Sequence, residues 1–470
     1  MKVLLINPPS EQELIGNNPA IIEEERGYNP PLGLLYVAAY LEAQGRHDVA
    51  VIDAQVEELS YTQLAERIRD YHPDVVGLTA LTFTILDVIH TIKVVKETAS
   101  NAVIVIGGPH AHLFPEETLN LTGVDFVVIG EGEEVFSQLM DQIDEPAALR
   151  QIPGLVFRYE GQIVKTGLAG MIQDLDSLPF PARHLVPYQK YSSLLALRTP
   201  ITTMFTSRGC PFQCAFCDRP HLGKRFRARS PKNVVDEMEH CTRMGIYEFL
   251  IYDDTFTVNR KRVLGICEEI HQRKLDIGWD IRARVDTVDP ELLKILRAAG
   301  CERIHYGVEA GTEKILKVLN KGITLEQVQN AFRWTKQAGI ETLAYFMVGA
   351  PTETREDIWQ TVEFAKRLDP DYVHMTILTP FPGTRIYFDG LENDVFPEDF
   401  WREFAANPTS DFHPRYWERE LSASELVEIL NDAYKSFYIR PRYALRRLLR
   451  VRSFSELTRK AHAALKVFRL

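Results

Sequence analysis

The chain has 470 residues, 45% hydrophobic and 25% charged, with a formal net charge of −11. That length predicts two or three domains, the composition is that of a globular protein, and the acidic balance excludes a whole-chain role in nucleic-acid binding. No uninterrupted apolar run approaches a membrane span, and "MKVLLINPPS" reads as a first strand rather than a signal peptide, which predicts a cytoplasmic protein with reduced thiols.

Residues 1–145 alternate short β-branched runs, "KVLLIN", "DVAVIDA", "DVVGLTA", "AVIVIGG" and "DFVVIGEG", with amphipathic stretches such as "YTQLAERIRDYH". Apolar runs separated by helices predict a parallel sheet covered on both faces, here a doubly wound, five-stranded, Rossmann-like α/β domain. Residues 146–200 read as a linker: "LVFRYEGQIVKTG" predicts a small hairpin around Glu160 and Gly161, and "DLDSLPFPARHLVP" a proline-punctuated connector. Over residues 201–395 a second alternation follows: "TTMFTSRGC", "FLIYDDTF", "DIGWDIRARVD", "RIHYGVEAG", "LAYFMVGAP" and "YVHMTILTP". Six such units predict a partial (β/α)6 barrel with its chemistry at the strand C-terminal ends. Ser230 is placed to cap one of its helices, with Pro231 at the first helical position. Residues 396–470 are predicted mainly helical and end in a basic tail, 439–470, with ten Lys or Arg against one acidic residue, Glu456. Apolar side chains interleave with those charges, so the tail reads either as a helix packed on the barrel or as a peripheral membrane anchor.

Three of the six cysteines, Cys210, Cys214 and Cys217, fall within the eight residues that follow the first barrel strand. A Cys-x3-Cys-x2-Cys loop can set three sulfurs around one metal centre. His221 could complete a Cys3His zinc site, but a closed structural site would then occupy the barrel mouth. Three thiolates on a four-iron cluster instead leave one iron without a protein ligand, the open position that a catalytic centre needs.

The loop, with Phe216 just before the third cysteine, resembles the signature of the radical S-adenosylmethionine (SAM) superfamily. The first domain, with "NPP", "PPLGLLYVAAYLE", "GGPH" and "GEGEE", resembles the cobalamin-binding domain of that superfamily's cobalamin-dependent branch. The branch includes methyltransferases acting on unactivated carbon and the anaerobic magnesium-protoporphyrin monomethyl ester cyclase, and the likeness covers about residues 1–390. It implies that Cys210, Cys214 and Cys217 hold a 4Fe-4S cluster whose free iron is chelated by SAM, with Phe216 near the adenine. Asp253 and Asp254 stand where relatives carry a Gly-Gly-Glu-like motif for the methionine amino group; this chain has "YDDT" there. Arg284, with Arg282 two residues before it on the same strand face, is placed to meet the SAM carboxylate, Glu309 the ribose, and Gly349 the adenine. "TPFPGT" after the sixth strand is assigned no chemistry.

In the first domain the same resemblance implies a slot for the nucleotide tail of cobalamin. Gly107 and Gly108 would let the backbone approach, Thr79 and Thr82 would offer hydroxyls, and Gly130, Glu131 and Gly132 would edge the crevice. A nucleotide or flavin could use the same crevice, since any doubly wound fold has glycine at such turns. The Asp-x-His-x2-Gly motif that supplies an axial histidine in many cobalamin proteins is missing. Of His72, His90, His110 and His112, only His110 sits at a strand end near the expected corrin, and the expectation is that no protein nitrogen binds cobalt.

The resemblance implies an anaerobic, cobalamin-dependent radical SAM enzyme that generates a 5′-deoxyadenosyl radical and methylates an unactivated carbon. Oxidative cyclisation with the same cofactors is the alternative, and a corrinoid or iron–sulfur sensor without turnover is a third reading. With no second cysteine cluster for electron entry, a flavodoxin- or ferredoxin-like donor is implied.

Overall fold

The computed structural model describes residues 1–14, 27–218 and 223–449, with side chains to residue 446; His221 and the basic tail from residue 450 lie outside them. The first sheet contains β1 (Lys2–Asn7), β2 (Asp48–Asp53), β3 (Val75–Thr79), β4 (Val103–Gly107), β5 (Phe126–Val128), β6 (Leu155–Tyr159) and β7 (Gln162–Lys165). Their order is β2-β1-β3-β4-β5-β6-β7, with the first five parallel. Val3 to Ile6 of β1 are all buried, as a strand covered on both faces requires. The order reverses between β1 and β3, the point at which doubly wound sheets open a crevice beyond their strand C-termini.

The expected linker is a different object. Its hairpin is present, but β6 pairs antiparallel with β5, setting Phe126 opposite Phe157 and Val128 opposite Leu155, so the first sheet has seven strands and runs to Lys165. The reason is edge protection: β5 would otherwise expose an unpaired apolar edge, and Leu155, Val156 and Phe157 cover it. The proline-rich connector is also packed. Arg183 is buried between the domains, where it pairs with Glu237 at 2.6 Å and donates to Thr202 Oγ1 at 2.7 Å.

From residue 201 come β8 (Ile201–Met204), a two-stranded ribbon of β9 (Ser207–Arg208) and β10 (Arg227–Ala228), then β11 (Glu248–Ile251), β12 (Gly278–Ala283), β13 (Cys301–Glu309), β14 (Glu341–Val348) and β15 (Tyr372–Ile377). The six long strands are all parallel in the order β15-β14-β13-β12-β11-β8, an open six-stranded barrel wall. Helices cover its outer face and open as their sequences predict; Ser230 Oγ accepts from Asn233 N at 3.2 Å ahead of the helix Pro231–Arg243.

The edge strand β15 is closed by the helix Ala423–Tyr438. Tyr434 Oη bonds both the N–H and the carbonyl of Met375 at 2.9 Å, and Tyr438 Oη does the same for Val373 at 3.0 and 2.7 Å. Two phenols thus occupy backbone groups that would otherwise offer a template for another strand.

Candidate functional site

The cysteine loop begins where β8 ends. β9 and β10 pair Arg208 with Arg227 and Ser207 with Ala228, which closes the loop at its base. Gly209, next along the chain, has φ +80°, and a Cβ there would lie 2.4 Å from the Arg225 carbonyl oxygen, so only glycine lets the two stems approach. The middle of the loop is clamped through Ala215, whose N–H donates to Leu319 O at 2.9 Å and whose carbonyl accepts from Ile386 N at 3.1 Å.

None of the six cysteines forms a disulfide, and they lie in two environments. Cys241, Cys267 and Cys301 are core residues; burial pushes the Cys241 thiol up to about 11, that of Cys267 to about 12, and that of Cys301 well above its ordinary value. Such thiols stay protonated and behave as small apolar groups. Cys214 and Cys217 are partly exposed on the loop, and Cys210 is buried. Cys210 Sγ lies 3.7 Å from Thr255 Oγ1 and Cys214 Sγ 3.8 Å from Arg284 Nη1. Among the described residues no three His, Cys, Asp or Glu side chains stand close enough to hold a metal ion, so the loop thiols share a turn without converging on one point. As a donor set, three thiols outside any disulfide on one rim loop still suit an iron–sulfur cluster, and the three core thiols do not.

The strand-end residues separate into those that face the loop and those that do not. Arg284 stacks over Phe212 (3.8 Å to the ring centroid), pairs with Asp286 at 3.0 Å and donates to Lys321 O at 2.8 Å. Lys321 in turn lies 5.7 Å over the Phe216 ring and binds Glu309 Oε1 at 2.6 Å, so Phe216, Glu309 and Arg284 form one continuous rim beside the cysteines. Glu309 holds φ +71°, an uncommon conformation for a residue with a side chain.

Asp253 corrects the sequence expectation. Its carboxylate is fully buried and accepts four hydrogen bonds, from Thr206 N (2.6 Å), Thr206 Oγ1 (2.5 Å), Ser207 N (3.0 Å) and Ser207 Oγ (2.6 Å), with Arg262 at 3.8 Å. It orders the chain entering the cysteine loop, whereas Asp254, the next residue, is only partly buried.

Gly349 is also corrected. Its φ of +82° demands glycine, but a Cβ would meet Leu426 of the helix Ala423–Tyr438 at 3.1 Å rather than open space. Glu353, which the sequence reading missed, accepts from both Gly349 N (2.7 Å) and Ala350 N (2.9 Å), and burial pushes its carboxyl up to about 7. Its position four residues after a strand-end glycine was the available clue.

The inner barrel face was missed as well. Tyr306 and Phe346 point outward and are buried, whereas Tyr252, Arg282, His305, Tyr345 and His374 are only partly buried. Arg282 stacks on Tyr252 (4.1 Å), His305 Nδ1 lies 3.0 Å from Tyr345 Oη, and Tyr345 meets His374 edge-on at 5.5 Å. Alternation along the strands was the clue here.

In the first domain a slot of about 190 Å³ opens between the sheet and the helices Leu32–Gln44 and Gly132–Gln142. Thr79, Gly107, Gly108, Gly130, Glu131 and Gly132 all line it, as does Arg208 from the other domain. The walls depend on missing side chains. A Cβ at Gly77 would lie 2.6 Å from Leu5 Cδ2, and one at Gly108 would lie 2.8 Å from Thr79 Oγ1. A narrow, glycine-lined slot at strand C-termini suits the tail of a corrinoid.

Three expectations change here. Thr82 is not in the slot wall; its hydroxyl lies 3.1 Å from His110 Nδ1. His110 is fully buried, tilted against Phe114 and outside the wall, and burial lowers its pKa to about 4. Glu131 edges the slot, but its carboxylate is taken up by Arg208 and Arg227, each at 2.8 Å, and by Ile172 N at 2.7 Å.

Residues 204–365 match the radical SAM superfamily, and residues 19–140 match the B12 binding domain. An uncharacterized methyltransferase of Pyrococcus horikoshii is 35% identical over 449 residues, 95% of this chain and 94% of the relative. An anaerobic magnesium-protoporphyrin IX monomethyl ester cyclase of Cereibacter sphaeroides is 34% identical over 427 residues, 89% of this chain and 68% of the relative. The solved structure of the cobalamin-dependent S-adenosylmethionine radical enzyme OxsB aligns over 99% of this chain and 72% of its own, with a TM-score of 0.76 and 18% identity, a likeness of fold. With both domains matched and a relative of this identity aligned nearly end to end, the chain belongs to the radical SAM superfamily, in the branch that carries an N-terminal B12-binding domain.

Proposed function

We propose that this enzyme uses a 4Fe-4S cluster, SAM and cobalamin to methylate an unactivated carbon of a small-molecule substrate. The observation that carries the reading is the juxtaposition of a disulfide-free three-cysteine loop at the barrel rim with a glycine-walled slot whose lining includes Arg208, two residues before the first loop cysteine. When bound, the three groups supply the electron and SAM-derived radical that activate a C–H bond, and the methyl group that is transferred.

The chain's own residues then have assignable work. Cys210, Cys214 and Cys217 hold the cluster. Arg284 brings a guanidinium to the cysteine side of the rim, where a SAM carboxylate can pair with it, and Asp254 can accept from the methionine ammonium. Glu309, held by Lys321, presents its remaining acceptor capacity to a ribose. Tyr252, Arg282, His305, Tyr345 and His374 provide an aromatic and polar wall for substrate inside the barrel, where water can be excluded.

Cys241, Cys267 and Cys301 are buried in the core, so reduction is proposed to come from an external flavodoxin- or ferredoxin-like protein. Peripheral membrane contact through residues 439–470 is a further proposal, read by co-sedimentation with anionic vesicles. Among the described residues no helix is long and apolar enough to cross a membrane.

The test incubates reconstituted protein with cell extract and methyl-deuterated SAM. A product carrying the deuterated methyl group is expected. An unlabelled, oxidised product would instead favour the cyclase chemistry suggested by the relative from Cereibacter sphaeroides.

A further inference from the structure

Glu131 does more than edge the slot. Its Oε1 accepts from Arg208 Nη1 at 2.8 Å, and its Oε2 accepts from Arg227 Nη1 at 2.8 Å. Arg208 and Arg227 are the paired residues of β9 and β10, the two stems that enclose the cysteine loop. One carboxylate on the lip of the slot therefore grips both ends of the segment that carries Cys210, Cys214 and Cys217. Each stem has a second tie: Arg208 Nη2 reaches Glu133 at 2.5 Å, and Arg227 Nη1 donates to Ile172 O at 2.5 Å. Arg208 also lies 5.3 Å over the Tyr36 ring of the first domain.

The whole group is withdrawn from water; the side chains of Glu131, Arg208 and Arg227 are 2%, 7% and 3% exposed. Burial by itself would raise the Glu131 carboxyl, but Arg227 and Arg208 hold it below the ordinary carboxylate range. Buried ion pairs are a poor source of stability compared with apolar packing, so the geometry of this group is the more informative feature. A planar guanidinium bonded to a carboxylate has a defined distance and direction, and two of them on one carboxylate set the loop's stems relative to the slot.

We infer that Glu131 is a positioning residue that fixes the distance and orientation between the cobalamin slot and the cluster loop. The inference rests on the proposed cofactor set. It assigns Arg208 and Arg227 the same role through Glu131, and Glu133 a lesser one, because Glu133 touches only the β9 stem.

The test uses full-length protein loaded with both groups and pulsed dipolar EPR between cob(II)alamin and the reduced cluster. Wild type should give one narrow cobalt-to-cluster distance distribution. In molecules that hold both iron and cobalt, E131Q should broaden that distribution, with E133Q broadening it less. Where E131Q fails to fold or to hold cobalt, R227Q decides, because it releases only the β10 stem and Arg227 is outside the slot wall. A wild-type narrow distribution in E131Q, or in R227Q where that variant decides, would overturn the inference, even with a lowered melting temperature. Wild-type protein that binds no cobalt or no iron would overturn the cofactor reading instead.

Discussion

In the slot of the first domain, shape comes from side chains that are left out at Gly77, Gly107, Gly108 and Gly130, between strands that are buried on both faces. At the barrel rim, shape comes from a loop tied down at its stems by Arg208 and Arg227, at its middle by Ala215, and at its entry by Asp253. The first is a narrow, glycine-walled cavity suited to the tail of a preformed ligand. The second is a set of donors whose thiols turn to nearby polar groups, Thr255 and Arg284. The slot should therefore be sensitive to added volume, and the loop to lost ties and lost donors.

The largest effect is expected from the donors themselves. Cys210→Ala, Cys214→Ala or Cys217→Ala should abolish SAM cleavage and strip iron from the purified protein, whereas Cys241→Ala, Cys267→Ala and Cys301→Ala should retain it. Iron retained in a loop variant would remove that cysteine from the site.

Next comes the loop's entry. Asp253→Ala leaves four buried donors without their acceptor and Arg262 without its nearby counter-charge, which should cost on the order of 3 kcal/mol in chemical denaturation. Asp254→Asn should leave stability nearly unchanged and weaken SAM binding. Equal stability losses in the two variants would erase the distinction between a tie and a ligand.

A smaller effect tests the slot. Gly107 has ordinary backbone geometry, and a Cβ there would make only van der Waals contact with Val128 at 3.8 Å. Gly107→Val therefore adds volume to the wall without strain in a strand that tolerates branching. Cobalamin affinity should fall by about tenfold, ~1.4 kcal/mol, with the melting temperature little changed. Unaltered affinity would mean that the ligand does not enter this slot.

The smallest effect concerns the turn after β14. The buried Glu353 carboxyl has a pKa raised from 4.5 to about 7, so over that window the folded chain holds a proton that the unfolded chain releases. Its contribution is complete below about pH 4.5 and is lost as pH rises through about 7. Glu353→Gln keeps an oxygen for Gly349 N and Ala350 N and cannot ionise. Melting temperatures measured against pH should show the wild type losing stability across that range relative to the variant; parallel curves would contradict the assignment.

The features legible in the chain alone were those written in short range. Buried parallel strands read as near-continuous apolar runs, helices as 3.6-residue periods opened by caps such as Ser230, and the thiol loop as three cysteines within eight residues. The six-stranded barrel wall and the parallel core of the first sheet follow from those local patterns. Partners distant in the chain are another matter. That β6 would shield β5, that Tyr434 and Tyr438 would close β15, and that the Glu131 carboxylate would grip arginines 77 and 96 residues away became definite only once the chain had closed on itself. Asp253 and Asp254 make the same point at closest range, since adjacent carboxylates with the same chemistry differ only in what surrounds them. Periodicity reports which face of an element is buried, whereas an ion pair or a hydrogen bond depends on which donor the tertiary fold brings within about 3 Å.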